Sequence, residues 1–116
     1  MAVQFQGLFS PMELRSVTGP TLANPALFYT IGAPLERPAR VLKWDNLTDQ
    51  NVFISVNGVQ AFTIIPSGAF FLLDLSTNKT AVEDFFCSEG TQFWANAAVA
   101  PLTGSVYLTA IGSKDM

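Results

Sequence analysis

From Arg40 to Ile111 the chain is a succession of short strand-like segments cut by turn signals, with no amphipathic helix between them. The turns fall at Asn46 to Gln50, Asn57-Gly58, Pro66-Ser67-Gly68, Ser76 to Thr80, Glu89-Gly90 and Pro101 to Gly104. Short strands at such regular spacing point to an all-β domain, a mostly antiparallel β-sandwich or jelly-roll-like barrel. Within the segments the alternation is explicit. Val41, Lys43 and Asp45 take one face and Leu42 and Trp44 the other. Val52, Ile54 and Val56 oppose Phe53, Ser55 and Asn57, and Asn57-Gly58 carries the residues of a tight type I′ hairpin. Val59 to Ile65 is the expected return strand. Ala69 to Leu75 is nearly continuous apolar and reads as a strand buried on both faces. Val82 to Cys87 fits a strand or a short helical turn, and Gln92 to Val99 and Ser105 to Ile111 complete the set.

The first third has a different character. Pro11, Pro20, Pro25, Pro34 and Pro38 all precede Arg40, and proline is confined to sheet edges and irregular chain. The same stretch is rich in apolar residues, among them Val3, Phe5, Leu8, Phe9, Met12 and Leu14. The expected division is an extended segment over 1–38, with one short strand at Leu27 to Ile31, and a β-sandwich over 39–116. The segment either wraps its own sandwich or lies on a neighbouring subunit.

With 116 residues, one domain is expected. Charged residues make up 13 %, about half the roughly 25 % usual in soluble domains. A folded monomer of this size exposes roughly 6,000 Å², so the surface is thinly charged. Such a surface is expected to be covered in part by other copies or by a permanent partner. The net charge of −3 and the scattered Lys and Arg residues exclude the basic cluster that nucleic-acid binding needs. No apolar run approaches membrane-spanning length and no signal-peptide pattern opens the chain. Assembly in a cytoplasm is expected.

Catalytic chemistry finds few candidates. The chain has no histidine, the commonest general base and metal ligand, and one cysteine, Cys87, read as a small buried hydrophobe. No disulfide, zinc site or other metal site, phosphate-binding glycine loop or cofactor site is expected. The carboxylates Asp45, Asp49, Asp74, Glu83, Asp84 and Glu89 lie mostly beside turns and read as solvated caps. Asn46 and Asn78 begin glycosylation-type triplets but sit in expected turns. Trp44, Trp94 and Tyr107 could form a sugar-stacking platform, or the tryptophans could fill the core. Phe70-Phe71 and Phe85-Phe86 each send one ring to either face of a strand. The outward ring then marks an interface or lies under the N-terminal segment.

The stretch from Val41 to Ile111 resembles small virion structural proteins of tailed bacteriophages. The matching features are the turn Asn46 to Asp49, the Asn57-Gly58 hairpin, the Pro66 to Gly68 turn and the strand Phe71 to Leu75. Gly90-Thr91 and the closing strand Gly104 to Thr109 follow in the same order. The resemblance implies a non-enzymatic capsid decoration or cement protein, a homo-oligomer that ties major capsid protein subunits together in the virion. A neck or tail ring component is the alternative in the same class, and a carbohydrate- or receptor-binding module that in another. Contacts to neighbouring virion proteins are expected from Phe5, Leu8, Phe9, Met12 and Leu14.

Overall fold

The computed structural model describes residues 10–75 and 87–112. Among them nine strands run in chain order: β1 Ser10–Pro11, β2 Arg15–Thr18, β3 Tyr29–Thr30, β4 Val41–Asn46, β5 Val52–Ser55, β6 Ala61–Ile65, β7 Phe70–Asp74, β8 Trp94–Asn96 and β9 Ser105–Gly112. A 3-10 turn at Gly19–Thr21 is the sole helical element among the described residues. All pairing is antiparallel. One sheet, sheet A, has β9 between β4 and an edge shared by β1 and β2, with β7 beyond β4. The other, sheet B, runs β3-β8-β5-β6. The described residues are all-β apart from that turn, as the turn spacing indicates.

The core lies between the sheets and follows from strict alternation. In β4 the inner set is Leu42, Trp44 and Asn46, and in β9 it is Val106, Leu108 and Ala110. Sheet B contributes Val52, Ile54, Ile65 and Ala95. Trp44 is the centre of this layer. Its indole meets Phe93 and Phe62 edge-on at 5.2 and 5.9 Å between ring centroids, and Phe71, tilted by 36°, at 5.7 Å. Edge contacts of this kind place a positive ring edge on a negative face, each worth about 0.5–1.5 kcal/mol beyond area burial. The indole N–H of Trp44 is buried with no hydrogen-bond acceptor among the described residues. An apolar replacement of the ring would remove that unmet donor.

Residues 10–38 contribute to both sheets. Beyond Tyr29–Thr30, which falls inside the expected strand, Ser10–Pro11 and Arg15–Thr18 pair along β9. Val17, Leu22, Ile31 and Leu35 are buried in the same core as the later strands. Arg15 explains how so proline-rich a stretch is fixed. Its side chain is 6 % exposed and donates to the carbonyls of Ala33 at 2.7 Å, Glu13 at 2.7 Å and Pro34 at 2.8 Å. Carbonyls that a sheet cannot use are thereby satisfied by a charged, planar donor.

Three expectations are corrected. Among the described residues only glycines have positive φ, so Asn57-Gly58 is not a type I′ turn, which needs it at both centres. The connection instead spans 56–60. The Asn57 carboxamide oxygen accepts from Val59 N and Gln60 N, and only Gly58, at φ 75°, takes the left-handed region. A register shift between Ile54 and Ser55 accompanies it. Second, the run Ala69 to Leu75 is not buried on both faces. It forms β7, the last strand of sheet A among the described residues, with alternate residues exposed. Third, β8 is shorter than Gln92 to Val99, and Cys87 is half-buried and bridges Ala39 as an isolated pair. Of the proposed element Val82 to Cys87, the residues before Cys87, and with them Phe85-Phe86, lie outside the described residues. So do the Ser76 to Thr80 turn and Asn78.

Two substitutions test this account. Gly104 has φ +83°, and a Cβ there would collide with the Leu47 carbonyl oxygen. Gly104→Ala should cost roughly 2 kcal/mol or more, read as a drop in urea midpoint. Trp44→Ala should cost about 3–5 kcal/mol. Trp44→Phe should cost distinctly less, because the unmet N–H leaves with the indole; equal costs would contradict that reading.

Candidate interaction surfaces

Among the described residues no group of His, Cys, Asp and Glu side chains could hold a metal ion. The Cys87 thiol is pushed above its ordinary 9.0 by burial, opposed by the Thr91 side chain, so it stays protonated at neutral pH. What the fold offers instead is surface, at three places.

The first is the loop-bearing end of the sandwich, where the β4–β5 and β6–β7 connections converge on the last residue of β4. Asn46 is fully buried. Its amide nitrogen donates to the carbonyls of Gln50 and Ile65, each at 2.8 Å, and its oxygen accepts from Thr48 N at 3.0 Å. Its backbone binds Ala69 and Gly68 at 2.9 and 2.8 Å. The turn Pro66 to Ala69 closes with Ala69 N donating to Pro66 O at 3.0 Å, and Gly68 supplies φ 80° at its third position. Asp49 then reaches across. Its carboxylate accepts from Leu102 N at 2.9 Å and Thr103 N at 3.4 Å. These donors, Leu102 first, hold its pKa below the ordinary 3.8. On this rigid frame Leu47, Val99 and Leu102 stand exposed, Leu102 at 77 %.

The second surface lies where edge strands β6 and β7 flank one opening of the sandwich. Phe62 and Phe71 close that opening in front of Trp44, 6.2 Å apart between centroids. Phe62 is 46 % exposed there; Ile64, at 47 %, stands on the outer face of sheet B, and Phe70 and Leu72, at 59 and 51 %, on the outer face of sheet A. On the outer face of β4, the Lys43 ammonium lies 4.7 Å from the Phe70 ring centroid and 3.5 Å from Asp45. Exposed pairs like this add about 0–1 kcal/mol, so they position the lysine more than they stabilise the sheet.

The third is a cleft of about 360 Å³ beside β2, lined by Glu13, Leu14, Arg15, Ser16, Gly32, Ala33, Pro34 and Glu36. Arg15 forms its floor and pairs with Glu36 at 3.6 Å. With its guanidinium committed to carbonyls and to that carboxylate, the cleft carries little spare positive charge.

The residues singled out in sequence distribute as follows. Trp44 lies in the core, Tyr107 on the outer face of sheet A, and Trp94 on the outer face of sheet B with Gly58 against its indole. The three rings occupy different layers and form no common platform. Met12 packs on the core of its own chain, Leu14 is exposed at the cleft, and Phe5, Leu8 and Phe9 lie outside the described residues. Asn46, buried and fully bonded, is closed to glycosylation in this fold. Phe70 is the outward member of its pair, as strand parity requires. Leu72, Phe62 and the role of Arg15 were not anticipated; the parity of the Phe70 to Asp74 run was the available signal for Leu72. No helix among the described residues is long and apolar enough to cross a membrane. No protein-family model, curated protein or solved structure matches the chain.

The Asp49 clamp has a defined pH signature. A carboxylate with a lowered pKa in the folded state stabilises fully above its unfolded value, and the contribution disappears as pH falls through the folded value. Stability should therefore decline below about pH 4, and Asp49→Asn should flatten that part of the profile. An unchanged slope in Asp49→Asn would show that the clamp contributes nothing.

Proposed function

We propose that this chain is a non-enzymatic structural protein of a bacteriophage virion, acting as a capsid decoration or cement protein that bridges major capsid protein subunits. The observation that supports the reading most is the strand order. With β1 extending the edge of β2, the eight strands β2 to β9 divide as β2-β9-β4-β7 and β3-β8-β5-β6. We read this wrapping as a jelly roll, an architecture used by viral capsid and lectin domains. Architecture alone does not carry function. Two further features lend weight: the resemblance over Val41 to Ile111 to small virion proteins, and a thinly charged surface that displays large apolar residues on edges and loop tips.

The mechanism needs no chemistry. A rigid β domain presents several modest apolar contacts, and repetition over a lattice turns weak contacts into a strong collective one. Two sites are suited to such contacts, the loop tips at Leu47, Val99 and Leu102 and the β6–β7 side. The lectin-like alternative is less well supported, because Trp44, Trp94 and Tyr107 are dispersed. A neck or tail ring would use the same surfaces at far lower copy number.

Copy number per purified particle, measured by mass spectrometry against the major capsid protein, tests the reading. Hundreds of copies are expected of a lattice-bound protein; a few dozen or fewer would move it to the neck or tail, and none would remove it from the virion. Deleting residues 1–9, with Phe5, Leu8 and Phe9, should weaken particle binding, with far-UV dichroism read alongside to check that the fold survives. A longer deletion would be uninformative, since Arg15 and Val17 are buried in the sandwich.

A further inference from the structure

An antiparallel sheet with one face in the core and one in water alternates apolar and polar residues along each strand. Sheet A follows that rule on β4, where Lys43 and Asp45 stand outside beside Thr109 and Tyr107 of β9. Sheet B breaks it. Strands β3, β5, β6 and β8 contain no Asp, Glu, Lys or Arg. Opposite the core residues Val52, Ile54, Ile65 and Ala95, the outward positions are Phe53, Ile64 and Trp94, with Thr30 and Asn96.

The two rims of this face are uncharged as well. At one end of the strands the connection 56–60 lays Gly58 on the Trp94 indole and adds Val56 and Val59, the latter 79 % exposed. At the other end the Asn96 amide nitrogen donates to the carbonyls of Pro25 and Leu27, at 2.9 and 2.5 Å, and so holds the connection 24–28 with its exposed Leu27. Neither connection contains a charged residue. Ile64 is about half exposed, and the rings of Phe53 and Trp94 are half-buried.

We propose that the outer face of sheet B is a self-association surface: a second copy of this chain packs its own sheet B against it about a two-fold axis. The sheets then stack in the order A, B, B, A, with the two inner sheets about 10 Å apart and aligned to within about 30°. The chemistry of the face selects this occupant. Nucleic acid and anionic lipid need cations, and sheet B with these rims has none. A sugar needs hydrogen-bonding groups beside the aromatic ring, and the Asn96 amide nitrogen is committed to the chain's own carbonyls. Transient protein interfaces are about as polar as ordinary surface, whereas homodimer interfaces are more apolar. A two-fold contact also sets a face against its own kind. A face without charge meets itself with no like-charge repulsion, and it leaves Lys43 and Asp45 of each copy in water on the outermost sheets.

The size of the face fits a reversible dimer. With its two rims it offers roughly 15–20 residues, against the 20–30 a side of a standard interface. The dimer is a property of the free chain, and it is tested without reference to the virion.

Sedimentation of the full chain from micromolar to about 100 μM, where weak interfaces populate, should show a concentration-dependent dimer. Raising salt from about 50 to about 500 mM should not weaken it, since no ion pair is involved. Ile64→Glu and Val59→Glu should each weaken it at least tenfold, because both bury a charge without a partner. Leu102→Glu, at the loop tips, should leave it unchanged. Acrylamide quenching of tryptophan emission should fall as concentration rises, since Trp94 becomes covered while Trp44 is buried throughout. A monomer at all concentrations overturns the proposal. So does a dimer that persists in both glutamate variants of the face, one that salt dissociates, or one that leaves Trp94 quenching unchanged. Should Ile64→Glu fail to fold, Val59→Glu in the exposed turn and the quenching experiment decide alone.

Discussion

Most of the molecule is organised around one buried amide. Asn46 closes β4 on its inner face, where an aliphatic side chain would normally continue the core. Its nitrogen spans the carbonyls of Gln50 and Ile65, and its oxygen gathers the Thr48 amide and hydroxyl. An unsatisfied buried polar group costs about 1–3 kcal/mol, so the connections must meet at this point or each pays that penalty. Because β4 lies between β9 and β7, fixing its end also fixes where its neighbours begin. Leu47 N bonds Ser105 O at the start of β9, and Gly68 N bonds Asn46 O just before β7. The rigidity of the loop tips, and hence the fixed display of Leu47 and Leu102, follows from that junction.

The two ends and two sides of the sandwich are unequal in consequence. Polar side chains are concentrated where loops must be held, as with Asn46, Thr48, Asp49 and Ser67 at one end and Arg15 at the β2 side. They serve the backbone and leave little charge for the surface. Apolar residues that the core has no room for emerge on β6, β7 and the loop tips. A chain that spends its polar groups internally has a surface suited to contact with other protein.

How much of this was legible in the sequence depended on whether the information was local. The alternation in β4 and β9 could be read directly, because each strand has one face in the core and one outside. Strand β7 could not. Phe70 to Leu75 is apolar on both parities, and a continuous apolar run describes a central strand as well as an edge whose outer face is bare. Position in a sheet is decided by partners far along the chain, here the pairing with Val41 to Asp45. The aromatic trio failed for the same reason: Trp44, Trp94 and Tyr107 sit in three layers that sequence spacing cannot distinguish. Arg15 was hidden because a lone arginine two residues before Val17 looks like an edge charge, and its carbonyl partners lie up to 19 positions away.

The pairing of β1 and β2 with β9 has a mechanical side. Ser10 lies beside Gly112 and Thr18 beside Ser105, so the first and last described strands run antiparallel and leave the sheet at the same end. A pull that separates residues 10 and 112 loads their backbone bonds one at a time, in the manner of a zip. It does not load them together in shear. Tension delivered through the two chain ends would peel this domain open from its first strand. Tension delivered across its faces and loop tips would be spread over the whole double sheet. A domain built this way bears load through its body and not through its ends.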